Sequence, residues 1–306
     1  MIILILSCSA AQAAEKDILT DQTHTIGETF SRSFINKSNI SSLPESVLPF
    51  AKSVARFGRG TAFYIGSQSD RHFMMTAAHT ALGSLAREKL GERASLLNKP
   101  TTLCKVFPSE QNSDFREFHL VLAGVYVTCK KLVYINEETD TAVFEINIHD
   151  QNMPEPIKIE AQVQPLEFGT QLGFFSYSSF ENLGTNGEFD LVYSSDSDCR
   201  NFTSDKYDTV SSVSIIDDKE ILHKVFTVGC DFVGGDSGGP VLNLETGALV
   251  GMVFAQRSEG LRKIGKNRLS LLENFVELPE ARQKNIASRY LNYMSILDSE
   301  IIELVF

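Results

Sequence analysis

Several absences narrow the function of this chain before any motif is read. There is no run of basic residues and no patterned Lys/Arg face: 28 Lys and Arg stand against 39 Asp and Glu, a net charge of −11. That balance repels a phosphate backbone and argues against a nucleic-acid partner. Beyond residue 10 no stretch is long and apolar enough to span a bilayer. None of the five cysteines forms a C-x-x-C pair, which argues against a zinc site. Internal repeats and low-complexity tracts are missing too. With 22% charged residues and ample apolar content, the chain reads as a folded globule of one large or two ordinary domains.

Proline is scarce, nine residues in all, yet three of them fall within "QNMPEPIKIEAQVQP" at 151–165. That segment reads as a linker. On either side lie strand-like runs rich in β-branched and aromatic residues and broken by Gly, Asn and Asp. Before it come "GTAFYIG", "HFMMTAAH", "HLVLAGVYVTCKKLVYI" and "TAVFEINI"; after it come "TQLGFFSY", "FDLVYSS", "HKVFTVGC" and "ALVGMVFAQ". Two segments have helical spacing instead. One is "ALGSLAREKLGERASLL" at 81–97; the other is 291–306, with Leu291, Met294, Leu297 and Ile301 near one face. Two consecutive all-β halves followed by a helix summarise the pattern.

The first residues, "MIILILSCSAAQAAEKD", run from apolar to small to charged. This is the outline of a secretory signal spanning 1–13, with Ala11-Gln12-Ala13 as an A-x-A cleavage site. A second reading makes Cys8 the lipid-bearing cysteine of an exported lipoprotein, anchored at a membrane surface. Either route delivers the protein outside the cytoplasm, to a periplasmic or extracellular space. The other four cysteines then form an even set with three connectivities. Cys104–Cys129 with Cys199–Cys230 closes one loop within each half of the chain and is the expected pairing.

The chemistry concentrates in "CDFVGGDSGGPV" at 230–241, too glycine-rich for the interior of a helix or strand. A serine hydroxyl attacks a carbonyl only when a base takes its proton and a third group orients that base. Backbone N–H groups must also converge on the developing oxyanion. Ser237, flanked by Gly235-Asp236 and Gly238-Gly239, has the glycine neighbours that let a backbone turn its amides toward one point.

"GDSGGP" at 235–240 resembles the nucleophile signature of the chymotrypsin/trypsin-like serine proteases. "MMTAAHT" at 74–80 is similar to that family's histidine motif, and "ETDTAVFEI" at 138–146 to its aspartate motif. The resemblance implies a triad of His79 as general base, Asp140 as its orienting carboxylate and Ser237 as nucleophile, with the amides of Gly235 and Ser237 as the oxyanion hole. Weaker echoes are "GRGTAFYIG" before the histidine, "ALVGMVFA" after the serine, and "NIASRYLNYMSIL", similar to the family's last strand running into its C-terminal helix.

The fold so implied is all-β: two six-stranded antiparallel barrels of the trypsin-like type and a C-terminal helix. The expected boundaries are a pro-segment or N-terminal extension at 14–49, the first barrel at 50–150, the linker at 151–165, the second barrel at 166–290 and the helix at 291–306. The implied activity is that of a secreted, monomeric serine endopeptidase acting on protein or peptide substrates, with no metal or other cofactor. Two rivals are a catalytically inactive protease-fold binding protein and a serine hydrolase acting mainly on esters.

The resemblance also raises two questions. Asp231 occupies the place of the primary-pocket floor, where an acid selects Lys or Arg. Yet the adjoining Cys230 looks like that of secreted bacterial relatives, in which this Asp is structural. Gln256 and Asn285 are further substrate-binding candidates. In animal members of the family the acid equivalent to Asp236 pairs with an ammonium freed by zymogen cleavage. No matching activation sequence is found between residues 14 and 60, where Arg32-Ser33-Phe34 and Arg56-Phe57-Gly58 offer the available cuts. Either a pro-segment of unfamiliar design is removed, or another residue satisfies Asp236.

Overall fold

The computed structural model describes residues 32–58, 60–82, 117–148, 152–157, 159, 166–177, 191–195, 197, 199–214, 219–255, 275–284, 291–297 and 300–301. In chain order the first elements are strand β1 (Ser33–Ile35), helix α1 (Leu48–Ala51), β2 (Val54–Phe57), β3 (Gly60–Gln68), β4 (Arg71–Ala77) and helix α2 (Ala78–Leu82). Next come β5 (Glu117–Leu120), β6 (Val125–Asn136), β7 (Thr141–Asn147), β8 (Leu172–Ser176) and β9 (Leu191–Ser194). The last are β10 (Asp208–Val213), β11 (Glu220–Val228), β12 (Pro240–Asn243), β13 (Leu249–Ala255) and β14 (Asn292–Ile296).

Strands β2 to β7 close into a barrel in the order β2-β3-β4-β7-β6-β5, sealed by the pairing of Arg56 with His119. Closure leaves no free edge and turns alternate side chains inward. Phe57, Phe118 and Phe144 fill the interior. The first two rings stack at 4.6 Å, and Phe144 lies 5.6 Å from each. Burying each ring contributes about 1.5–3 kcal/mol.

The second half differs from the expected barrel. Its strands form one eight-stranded antiparallel sheet in the order β1-β9-β8-β12-β13-β14-β11-β10. The six middle strands are those a barrel would use, but the two edges that would have to meet are already occupied. Strand β9 is capped by β1, through Ser33↔Tyr193 to Ile35↔Leu191, and β11 is capped by β10. An edge whose N–H and C=O groups are paired has nothing left to offer for closure.

The helix expected at 291–306 is corrected over its first part, while residues 300 and 301 are helical. Residues 292–296 form β14, a central strand between β13 and β11. Leu291, Met294, Leu297 and Ile301 are buried as their spacing suggests, but so are Asn292, Tyr293 and Ser295. A strand covered on both faces loses the polar alternation that would identify it, and the remaining apolar spacing imitates a helix. Only short helices occur among the described residues. The helix expected at 81–97 is represented by the end of α2, and the rest of it lies outside the described residues.

A shared core joins the halves. Phe63, Phe73 and Met75 of the barrel pack with Phe175, Leu242 and Met252 of the sheet. Ile35, Leu43 and Val47, from within the segment 14–49, belong to the same core, as do Ile157 and Ile159 from the connecting stretch 151–165. The chain that precedes the barrel therefore helps to hold the two halves together. Among the described residues no helix is long and apolar enough to cross a membrane.

Candidate active site

His79 sits one residue into α2, immediately after β4 ends. Because β4 pairs with the start of β7, through Ala77↔Thr141, the residue before β7 lies beside the residue after β4. That residue is Asp140. Its carbonyl accepts the Ala78 N–H at 2.9 Å, its Oδ1 accepts the His79 N–H at 2.9 Å, and its Oδ2 lies 2.7 Å from His79 Nδ1. Asp140 reaches this position with φ of 47°, in the left-handed region that Asp tolerates better than most residues. The turn before it is tied by Asn136 Oδ1, which accepts the N–H of Glu138 at 2.8 Å. Asp140 is thus both a turn residue and a partner of the histidine.

A carboxylate can only accept, so the Nδ1 it faces carries the proton and Nε2 is left as the basic nitrogen. Asp140 is 3% exposed, whereas the His79 side chain is 35% exposed. Burial works to lower the His79 pKa, but the charge and hydrogen bond of Asp140 outweigh it, and the pKa stands above its ordinary value.

Ser237 is carried by the loop between Asp231 and β12. Gly235 and Gly238 have φ of 96° and 82°, conformations that only glycine adopts freely. A Cβ at Gly238 would collide with Thr61 O, Thr76 Oγ1 and the amide of Ala77, so the loop lies flush against the ends of β3 and β4. Thr61 fastens it there: its N–H donates to Ser237 O at 2.9 Å, and its Oγ1 accepts the Tyr177 N–H at 2.8 Å. On the other side, the Gly238 N–H donates to Val253 O at 2.9 Å, and the next residue of β13, Phe254, stands edge-on to His79 with ring centroids 6.1 Å apart. Ser237 is thereby held against the strand end that delivers His79. Among these three residues the hydrogen bonds are those of the His79–Asp140 pair, and the Ser237 loop packs against the strand end that carries it. Such contacts commonly tighten only when substrate binds.

Within the loop the Asp236 N–H donates to Val233 O and the Gly239 N–H to Asp236 O. The amides of Gly235 and Ser237 have no acceptor among the described residues. They are the donors expected for an oxyanion. Asp231 is completely buried beside the Cys199–Cys230 disulfide. Cys129 is also disulfide-bonded, while Cys104 lies outside the described residues. So do Gln256, Asn285 and Cys8. Among the described residues no group of three or more His, Cys, Asp or Glu gathers as metal ligands.

One participant escaped the sequence reading. The Arg32 guanidinium grips the Asp236 carboxylate with both terminal nitrogens, Nη1 to Oδ2 at 2.7 Å and Nη2 to Oδ1 at 3.0 Å. Nothing local in the sequence marks this pair, whose members are 204 positions apart. A cavity of about 230 Å³ opens beside His79, lined by His79, Asp140, Phe254 and His223 among others. His223 is 5% exposed, and its Nε2 lies 2.6 Å from Ser212 Oγ.

A closed β-barrel packs on a second antiparallel sheet through a shared core, and the His79–Asp140 pair lies where Phe254 of the sheet meets the barrel. A family model described as a trypsin-like peptidase domain matches residues 60–252, and the chain belongs to that family. Among solved structures it is similar to the active form of the Rv3671c protease from M. tuberculosis, at 16% identity over 90% of this chain and 92% of that one, with a TM-score of 0.48. It is also similar to a Glu endopeptidase, at 11% identity over 91% of this chain and 96% of that one, with a TM-score of 0.50. At 11% identity the likeness to the Glu endopeptidase concerns the fold alone. A comparison with curated proteins finds no match.

Proposed function

We propose that the protein is a serine endopeptidase that cleaves peptide bonds through an acyl-enzyme formed on Ser237. The observation that carries this reading is the His79–Asp140 pair. Asp140 occupies Nδ1 and holds the ring, which leaves Nε2 as the basic nitrogen. Membership of the trypsin-like peptidase family supports protein or peptide substrates.

In the proposed cycle His79 takes the Ser237 proton as Oγ attacks the scissile carbonyl. Asp140 stabilises the imidazolium so formed. The Gly235 and Ser237 amides receive the oxyanion, and losing one such donor would slow the reaction by on the order of 10²–10³. His79 then protonates the leaving amine, and water, activated by the same histidine, releases the acyl group. We further place the protein outside the cytoplasm, as its N-terminal residues suggest. The Cys199–Cys230 bridge supports this, since such bonds persist in oxidising compartments.

The test is reaction of the purified protein with a fluorophosphonate, followed by peptide mass spectrometry. An adduct on Ser237 that disappears in Ser237→Ala supports the assignment. An adduct elsewhere, or peptide hydrolysis retained in Ser237→Ala, overturns it.

A further inference from the structure

We infer that Arg32 is the positioning residue of the nucleophile loop, and that the intact chain assembles its oxyanion hole without a cut that exposes a new N-terminus. This rests on the serine-protease reading above and adds to it a statement about activation.

Asp236 immediately precedes Ser237 and is completely buried. Its carboxylate accepts four hydrogen bonds. Oδ1 takes Arg32 Nη2 at 3.0 Å and Ser176 Oγ at 2.6 Å; Oδ2 takes Arg32 Nη1 at 2.7 Å and the Val233 N–H at 2.8 Å. Nη1 also donates to the carbonyl of Asp231 at 2.5 Å. One guanidinium therefore clamps both ends of the segment 231–236, whose successor is the nucleophile. Its Cζ lies over the Phe174 ring at 5.6 Å from the centroid, and its side chain is as buried as the carboxylate it faces.

A buried carboxylate without its cation is strongly unfavourable. If Arg32 withdrew, Asp236 would turn toward water and carry its own backbone with it. The amides of Gly235 and Ser237 flank that backbone, so the oxyanion donors would lose their convergence while the His79–Asp140 pair, held by its own hydrogen bonds, stayed formed. The guanidinium acts through its side chain and needs no free α-amine.

The fold also supplies the means of holding it. Arg32 is followed directly by β1, which pairs with β9 through three consecutive residues and places Ile35 in the shared core. Asn39 Nδ2 secures the carbonyl of Phe34 at 2.7 Å. Cleavage of the Arg32–Ser33 bond would separate the guanidinium from this anchor. That cut, one of the two available as activation sites, would switch the enzyme off rather than on.

The experiment compares full-length wild type, Arg32→Gln, Arg32→Lys and Ser176→Ala. It measures the rate of fluorophosphonate labelling at Ser237, kcat and KM on a peptide ester, the thermal melt, and the intact mass of the labelled species. Wild type is expected to label while its mass still includes Arg32. Arg32→Gln should lower the labelling rate and kcat by on the order of 10², with KM within about threefold, because the oxyanion donors and not the peptide cleft are disturbed. Arg32→Lys should recover part of that loss, since it restores the charge without the fork. Should Arg32→Gln not fold, Ser176→Ala decides. It removes one bond to Asp236 without a charge, and it should label more slowly while still unfolding in a single cooperative transition, at a somewhat lower melt. Wild-type labelling rates in Arg32→Gln, or in Ser176→Ala, overturn the proposal. So does a wild type that labels only once its mass shows Arg32 removed, an outcome that leaves the protease reading standing. Absence of Ser237 labelling in every form defeats that reading and this proposal together.

Discussion

Asp140 meets His79 twice, through Oδ1 to the backbone N–H at 2.9 Å and through Oδ2 to ring Nδ1 at 2.7 Å. The first contact fixes where the histidine's backbone lies, and the second fixes which ring nitrogen carries the proton. A single carboxylate thus ties position to tautomer.

Replacing Asp140 by Asn keeps the shape but offers an N–H where an acceptor is needed, so the ring turns over or takes the wrong tautomer. The expected loss in kcat is on the order of 10⁴, the size such a change has in a Ser-His-Asp triad. Steady-state kinetics on a peptide ester check it. A loss below tenfold would remove Asp140 from the mechanism.

The acid limb of kcat/KM is expected above pH 6.5. Burial opposes protonation of His79, but Asp140's charge and hydrogen bond raise the pKa overall, and only the neutral ring is a base. The stability linkage has the opposite sense. The stabilisation from protonated His79 is fully present below the unfolded pKa of about 6.5 and fades as pH rises through the folded value. Activity and melting temperature measured across pH 5–9 should therefore trend in opposite directions around this group. An acid limb below pH 6.5 would contradict the prediction.

Glu145 is expected to contribute to stability in acid. Its carboxylate is 2% exposed and meets Lys130 Nζ at 2.7 Å, Lys131 Nζ at 3.1 Å and Arg71 Nε at 3.0 Å. Burial pushes its pKa up, but these three partners prevail and bring it to about 2. Its contribution is complete above pH 4.5 and is lost as pH falls toward 2. Because the cationic heads are partly in water, Glu145→Gln should cost about 1–3 kcal/mol at neutral pH. Denaturant midpoints at pH 7 and pH 3 test this: the gap between wild type and variant should narrow at pH 3.

Asp231 separates two readings of specificity. If its carboxylate forms the floor of the primary pocket, Asp231→Ser depresses cleavage after Lys and Arg far more than cleavage after other residues. Equal losses across a P1 peptide library would make it a structural acid beside the Cys199–Cys230 bridge.

The residues proposed as the triad were legible because each lies in a short motif whose chemistry is local. A serine among glycines, a histidine after an apolar strand and an aspartate before another can be named from their neighbours. The β-rich character of both halves was legible for the same reason, since alternation and turn residues act over a few positions. Residues 292–296 carried two readings, the family's last strand and the start of a helix; the strand holds, and the helical spacing arose because β14 is buried on both faces and carries no alternation.

By itself, then, the sequence determined which groups could do chemistry and roughly where strands begin and end. The tertiary structure alone decided how the edges of the second half are closed off. It also decided that residues before the barrel belong to the core, and that Arg32 meets Asp236 across 204 positions. The physical reason is common to all three. A buried charge finds its counter-charge, and a strand edge its partner, wherever the folded chain brings one within about 3 Å, and no local pattern records that meeting.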